Sequence, residues 1–177
     1  EAVLLPMRPH GHALRRIVAF GSSSTYGVGA SDDRSSYPAQ LAILLAERYP
    51  GAGFEVLNKG VSGNVVADNM ARLRRDVLQA RPDLVIWQIG TNDALYGWAP
   101  EEISPAIKRG ILRIRATGAE IVLMAPQPLL DEPRDARIRA MNAALRQVAT
   151  DTDTAYLDRY RLMQYWQTSG QIGRAHV

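Results

Sequence analysis

The sequence contains no cysteine in its 177 residues. This excludes disulfide frameworks, thiolate metal sites and cysteine nucleophiles within it. Aromatic residues make up only 7%, and 21 basic residues stand against 18 acidic ones. Neither stacking platforms nor a basic stripe is on offer, so nucleic acid is not an expected partner. Arg72, Arg74 and Arg75 share one helical pattern and Arg134, Arg137 and Arg139 another, and both groups read as solvated helix faces. No run approaches the ~20 apolar residues that cross a bilayer, and Ala2 to Met7 is too short for the apolar core of an export signal. The first residue is Glu1, which leaves cytoplasmic, periplasmic and secreted locations all open.

What is present is an ordinary globular composition, 46% apolar and 22% charged, of a length suited to one domain. After a lead-in over 1–14, Arg16 to Phe20, Phe54 to Leu57, Leu84 to Ile89, Glu120 to Met124 and Thr154 to Leu157 read as strands. Helical patterns fill the intervals at Tyr37 to Tyr49, Asn64 to Gln79, Pro100 to Thr117 and Asp135 to Thr150, with a short one at Arg159 to Gln167. The apolar runs are continuous, as in strands covered on both faces. The expectation is a three-layer α/β/α sandwich with a flavodoxin-like, mainly parallel five-stranded sheet over residues 15–170.

Open parallel sheets bind ligands beyond the carboxyl ends of their strands. The loops after the first three predicted strands are rich in small and polar residues: Gly21-Ser-Ser-Ser-Thr-Tyr-Gly27, Asn58-Lys-Gly-Val-Ser-Gly63 and Gly90-Thr-Asn-Asp93. A phosphate-binding reading of the first loop fails on spacing. Five residues separate Gly21 from Gly27, Val28 follows where a Walker lysine belongs, and Asp32 occupies the third glycine position of a dinucleotide fingerprint. Serines at a strand-to-turn junction suit a presented nucleophile instead, although turn and N-cap residues would look the same in isolation.

The order and spacing of these blocks resemble the SGNH (GDSL) hydrolase superfamily, over roughly Arg16 to Gly170. The resemblance implies a serine esterase, lipase, thioesterase or deacetylase-like enzyme that passes through an acyl-serine intermediate and needs neither metal nor organic cofactor. It implies Ser23 as nucleophile. It also implies an oxyanion hole built from the Ser23 and Gly63 backbone amides and the Asn92 carboxamide. Acyl transfer requires such a set, a hydroxyl plus preorganised donors where the carbonyl oxygen gains charge. The implied partner is a small ester of unspecified acyl group. Tyr96 and Trp98, just after the third block, are candidates to line an acyl pocket, and Ala125-Pro-Gln-Pro128 is a candidate wall.

Two departures from that family pattern stand out. Ser22 replaces the usual aspartate of the first block, which makes Ser22 and Ser24 rival nucleophiles. The family's Asp-x-x-His block is absent, because the only histidines are His10, His12 and His176, and Gly173 lies three residues before the last. His10 and His12 precede the first strand while Ser23 follows it, roughly 20 Å away. Asp153 and Asp158 have no histidine three positions on and belong to the last strand and its exit. The closing residues Ile172-Gly-Arg-Ala-His-Val177 follow neither helical nor strand patterning and match one reading frame of a common sequencing adapter. The sequence is therefore expected to be a fragment with a non-native tail over 171–177, the final helix and catalytic loop missing, and little activity of its own. Two other readings remain: a phosphate- or small-molecule-binding module, and a catalytically dead relative of the hydrolases. Asp131, Glu132 and Asp135 cluster at a predicted helix entry, where acids favour the helix dipole, and no histidine accompanies them as a metal ligand.

Overall fold

The computed structural model describes residues 14–170. At its centre lies a sheet of β1 Arg15–Gly21, β2 Phe54–Gly60, β3 Leu84–Gln88, β4 Glu120–Met124 and β5 Ala155–Leu157. Every pairing is parallel and the order is β2-β1-β3-β4-β5, the flavodoxin-like arrangement. The helices are α1 Ser23–Tyr26, α2 Tyr37–Arg48, α3 Val66–Asp76, α4 Thr91–Tyr96, α5 Pro100–Arg115, α6 Glu132–Asp151 and α7 Arg159–Thr168. Pro38, Pro100 and Pro133 fall in the first turns of α2, α5 and α6, where a missing N–H costs nothing.

The sheet's two faces are unequally covered. Val18 and Phe20 align across the strands with Val85 and Trp87, and these with Ile121 and Leu123, all buried beneath α3, α5 and α6. Ile107, Ile111 and Ile114 of α5 and Ile138, Met141 and Leu145 of α6 complete this core. Gly110 lets α5 lie on the indole of Trp87, because a Cβ there would stand 2.5 Å from the ring. On the opposite face Val56, Ile86 and Val122 are only half-buried, and Leu44 of α2 is 58% exposed. Coverage on both faces, expected from the continuous apolar runs, is therefore complete on one face and partial on the other among the described residues. The runs are apolar throughout because β1, β3 and β4 sit inside the sheet, where even the less covered face keeps Ile17 and Ala19 buried.

Two short helices, α1 and α4, were not expected from the sequence. Each is too short for a hydrophobic period, and each starts where the chain leaves the sheet at Gly21 and Gly90. The helix over Asn64 to Gln79 divides into α3 and a 3-10 turn at Leu78–Ala80.

Candidate active site

β2, β1 and β3 are neighbours, so the three small-residue loops leave the same edge of the sheet side by side. Close approach explains the glycines at their roots. A Cβ on Gly60 would stand 2.1 Å from the Tyr26 nitrogen and 2.6 Å from Tyr26 Cα. Backbone cannot move aside as a side chain can, so α1 rests directly on the end of β2. Gly21 is similarly confined, with Thr25 Oγ1 2.4 Å and the Gln88 carbonyl oxygen 2.8 Å from where its Cβ would be.

In the first loop the serines have different surroundings. Ser22 is 3% exposed, and its N–H and Oγ both donate to Gln88 Oε1 at 3.0 Å. Thr25 Oγ1 donates to the same oxygen at 3.3 Å. Ser22 is thereby anchored to the end of β3 by its backbone and its hydroxyl together. Ser24 donates to Gln127 Oε1 at 3.3 Å, tying the loop to the Ala125–Pro128 segment. Ser23 opens α1 half-buried, and its hydroxyl makes no hydrogen bond among the described residues.

The second loop is bonded to the first. Val61 N–H donates to the Gly21 carbonyl at 3.0 Å, and Asn64 N–H closes a turn on the Val61 carbonyl at 3.3 Å. Within that turn Gly63 has φ +79° and nothing within 4 Å of a Cβ position. Glycine is needed here for its left-handed backbone, and open space lies beside it. The third loop is bonded to the second. Asn92 Nδ2 donates to the Asn64 carbonyl at 2.8 Å, which uses one of the two amide hydrogens of the carboxamide. Asp93, 2% exposed, accepts the Val66 N–H at 3.0 Å at the start of α3. Burial pushes the Asp93 carboxyl upward, opposed by the N–H groups of Val66, Asp93 and Gly90.

The structure thus brings Ser23, Gly63 and Asn92 to one end of the sheet on directly bonded neighbouring loops. Beneath them lie groups that sequence reasoning missed. Gln88 is one, and its signal was a lone amide ending an otherwise apolar strand, Leu84-Val-Ile-Trp-Gln88. Arg72 is the other. The solvated-face reading fails for it, because Arg72 is only 8% exposed, while Arg74 and Arg75 do face solvent. Its signal was polar Asn69, Arg72 and Asp76 lying at helical spacing on the buried stripe of α3 with Leu73.

Further out, Tyr37 and Arg159 are half-buried beside Thr25 and the end of β4, with the Tyr37 hydroxyl and Arg159 Nη2 fully enclosed. Burial pushes the Tyr37 phenol up to about 12 and the Arg159 guanidinium down to about 10. Arg159 Nε donates to the Ala125 carbonyl at 3.1 Å. Tyr96 and Trp98 are 67% and 50% exposed, and Trp98 lines a groove of about 230 Å3 with Ala94, Arg137 and Met141.

No histidine occurs among the described residues, and His10, His12 and His176 lie outside them. Asp158 is occupied as the α7 N-cap, accepting from Arg161 N–H at 3.1 Å and pairing with Arg146. Asp153 turns the chain into β5 with φ +48°. At the entry of α6, Asp131 and Glu132 pair with Arg134 and Arg139. Asp135 is buried, accepting from Leu129 N–H at 2.7 Å and Tyr160 Oη at 2.5 Å. No group of three or more potential metal ligands occurs among the described residues, and no helix there is long and apolar enough to cross a membrane.

Comparison with known proteins bears on this geometry. An acetylxylan esterase from Geobacillus stearothermophilus is 29% identical over 154 residues, covering 78% of this chain and 66% of its own. An arylesterase from Vibrio mimicus is 31% identical over 112 residues, covering 63% and 54%. Esterase TesA from Pseudomonas aeruginosa is 30% identical over 115 residues, covering 65% and 56%. The chain thus spans between 54% and 66% of the length of these relatives. Among solved structures, a catalytic mutant of the Geobacillus acetylxylan esterase Axe2 superposes with a TM-score of 0.79 at 22% identity, covering 94% of this chain and 88% of the other. LAE5, an alpha/beta hydrolase from the metagenome of Lake Arreo, gives 0.77 at 23% with the same coverages. These two share the fold. The model of the non-GDSL lipase-like family matches residues 10–176, nearly the whole sequence, and the chain belongs to that family.

Proposed function

We propose that the protein of which this chain forms part hydrolyses carboxylic esters through an acyl-serine intermediate, with Ser23 as nucleophile. The observation that carries this reading is the meeting of the Ser23, Gly63 and Asn92 loops at one sheet edge, joined by the Val61–Gly21 and Asn92–Asn64 hydrogen bonds. Ser23 Oγ bonds to the ester carbonyl carbon and gives its proton to a base. The resulting oxyanion is held by the Ser23 and Gly63 N–H groups and the second Asn92 amide hydrogen. Collapse breaks the ester C–O bond, and the alcohol leaves with that proton. Water, deprotonated by the same base, then attacks the acyl-serine and releases the acid and the serine hydroxyl. No step calls for a metal or organic cofactor.

The base comes from outside the described residues, in the family's Asp-x-x-His pattern. Solved catalytic mutants of Axe2 replace a serine, an aspartate and a histidine, which supports that division of roles. The described residues by themselves support only slow, oxyanion-assisted acylation. Relatives named for acetylxylan and aryl esters favour small acyl groups.

The test is phosphonylation by a fluorophosphonate probe followed by peptide mapping, on this chain and on one extended through the native C-terminus. Label is expected on Ser23 in both, far faster in the longer form, and none on Ser23→Ala. Label on another residue would reject the assignment. Ester turnover by this chain well above that of its Ser23→Ala variant would reject the external base.

A further inference from the structure

Arg72 is bonded to the roots of the first two loops. Its guanidinium lies over the Phe20 ring, with Cζ 4.5 Å from the centroid. From there Nη2 donates to the Gly21 carbonyl at 2.8 Å, and Nη1 donates to the Lys59 carbonyl at 2.8 Å and to Asp76 Oδ2 at 3.0 Å. Nε donates to Asn64 Oδ1 at 2.6 Å. Gly21 leads into the Ser23 turn, Lys59 is the penultimate residue of β2, and Asn64 follows Gly63. The Asn64 carbonyl in turn holds Asn92. One planar cation therefore joins the roots of the first two loops and, through Asn64, reaches the third.

We propose that Arg72 is the positioning residue of the oxyanion site, fixing the separation of the Ser23 amide, the Gly63 amide and the Asn92 carboxamide without touching the reacting atoms. Its catalytic consequence rests on the esterase reading above; its positional role does not. The guanidinium suits the task because its donors point in fixed, divergent directions within one plane. A lysine ammonium offers hydrogens from a single nitrogen and cannot span two strand-end carbonyls and Asn64 together. The buried charge is balanced by Asp76, which also pairs with Arg75. A cation needed only to seat α3 would require Asp76 and little else. Instead, three of its four bonds run to oxygens of the site loops and strand ends.

The experiment uses the 177-residue chain, whose described residues include no histidine, so that slow acylation by 4-nitrophenyl acetate reports the oxyanion donors. Arg72→Lys is compared with Ile114→Ala, a core lesion far along α5. Two quantities are read: the amide NMR signals of Ser23, Gly63 and the Asn92 side chain, and the Ser23-dependent acylation kinetics, measured as the excess over Ser23→Ala. Arg72→Lys is expected to shift all three signals and lower the limiting acylation rate by about 10-fold or more, with the half-saturating concentration changed less than about threefold. Ile114→Ala should leave signals and rate in place whatever its thermal stability. If Arg72→Lys does not fold, Asn64→Ala severs the Nε arm alone and is read the same way, with the Gly63 and Asn92 signals expected to move. Unshifted signals, or shifts matched by Ile114→Ala, would overturn the proposal. Shifted signals together with no fluorophosphonate label on Ser23, in this chain or in the extended one, would leave Arg72 a positioning residue and remove the esterase reading.

Discussion

Replacing Gln88 by leucine removes the shared acceptor beneath the Ser22–Tyr26 turn while nearly preserving volume. Gln88 is 1% exposed, and its Oε1 takes the Ser22 N–H and Oγ at 3.0 Å and the Thr25 hydroxyl at 3.3 Å. The last bond is long and counts for little. The first two donors would be stranded away from water, at ~1–3 kcal/mol each, and the Ser22 hydroxyl can recover part of its share by rotation. A net loss of about 2–4 kcal/mol follows, which for a chain of this length lowers Tm by roughly 5–15 °C. Ser22→Ala removes a donor rather than the acceptor and should cost only about 1 kcal/mol. Because the two residues share a bond, the double variant should lose less than the sum of the singles by about 1 kcal/mol. Circular-dichroism melts and urea titrations of the four proteins measure this directly. A Tm fall for Gln88→Leu under about 2 °C, or additive losses, would refute the hub.

Ser22→Asp restores the residue usual in the resembling superfamily, yet it should destabilise this chain. The carboxylate would face Gln88 Oε1, and flipping that amide would deprive the Ser22 N–H of its acceptor; a raised Tm would contradict this. Asn92→Ala should lower Ser23-dependent acylation by about 10²–10³ while changing stability by about 1 kcal/mol or less, since only the bond to Asn64 is lost. Gly60→Ala drives a methyl into the Tyr26 backbone, and a loss of about 1–3 kcal/mol with reduced Ser23 labelling is expected; wild-type labelling would show that α1 does not depend on this contact. Asp76 supplies the pH dependence. Arg75, with Arg72 behind it, holds its carboxyl down to about 2 from an ordinary 3.8. The unfolded chain therefore binds the proton more tightly, so this contribution is full above the ordinary value and fades as pH falls from near 4 toward 2. Urea titrations across that window should show a steeper loss in the wild type than in Asp76→Asn, and parallel slopes would contradict the pairing.

The sheet was legible because buried parallel strands leave continuous apolar runs; β4 was bounded to the residue and the other strands to within three. The site loops were legible because three short motifs follow neighbouring strands in order. What sequence patterns could not show was how those loops are held. Gln88 and Arg72 act through tertiary contacts to residues 66 and 51 positions away in the chain; Gln88 leaves no periodic signature, and Arg72 leaves only its place in a polar stripe with Asn69 and Asp76. Arg72 was misread because a charge on a helix looks solvated until the strand ends that cover it are known. α1 and α4 were invisible for the same reason, being turns shaped by what they rest on. The apolar pattern of α2 was read correctly as helical, but Leu44 faces outward all the same.

The uneven covering of the sheet sets the order in which the molecule should come apart. α5 sends four isoleucines, 103, 107, 111 and 114, into the interior, whereas α2 buries only Pro38 completely. Local opening is cheapest where the least apolar surface must be wetted, so amides of α2 should exchange with solvent well before those of α5 and α6. Tyr37, at the root of α2, packs beside Thr25 under the Ser22–Tyr26 turn. The first excursions from the native state therefore loosen the support of the Ser22–Tyr26 turn while the Gly63 and Asn92 loops, tied to α3 through Arg72 and Asp93, stay in register.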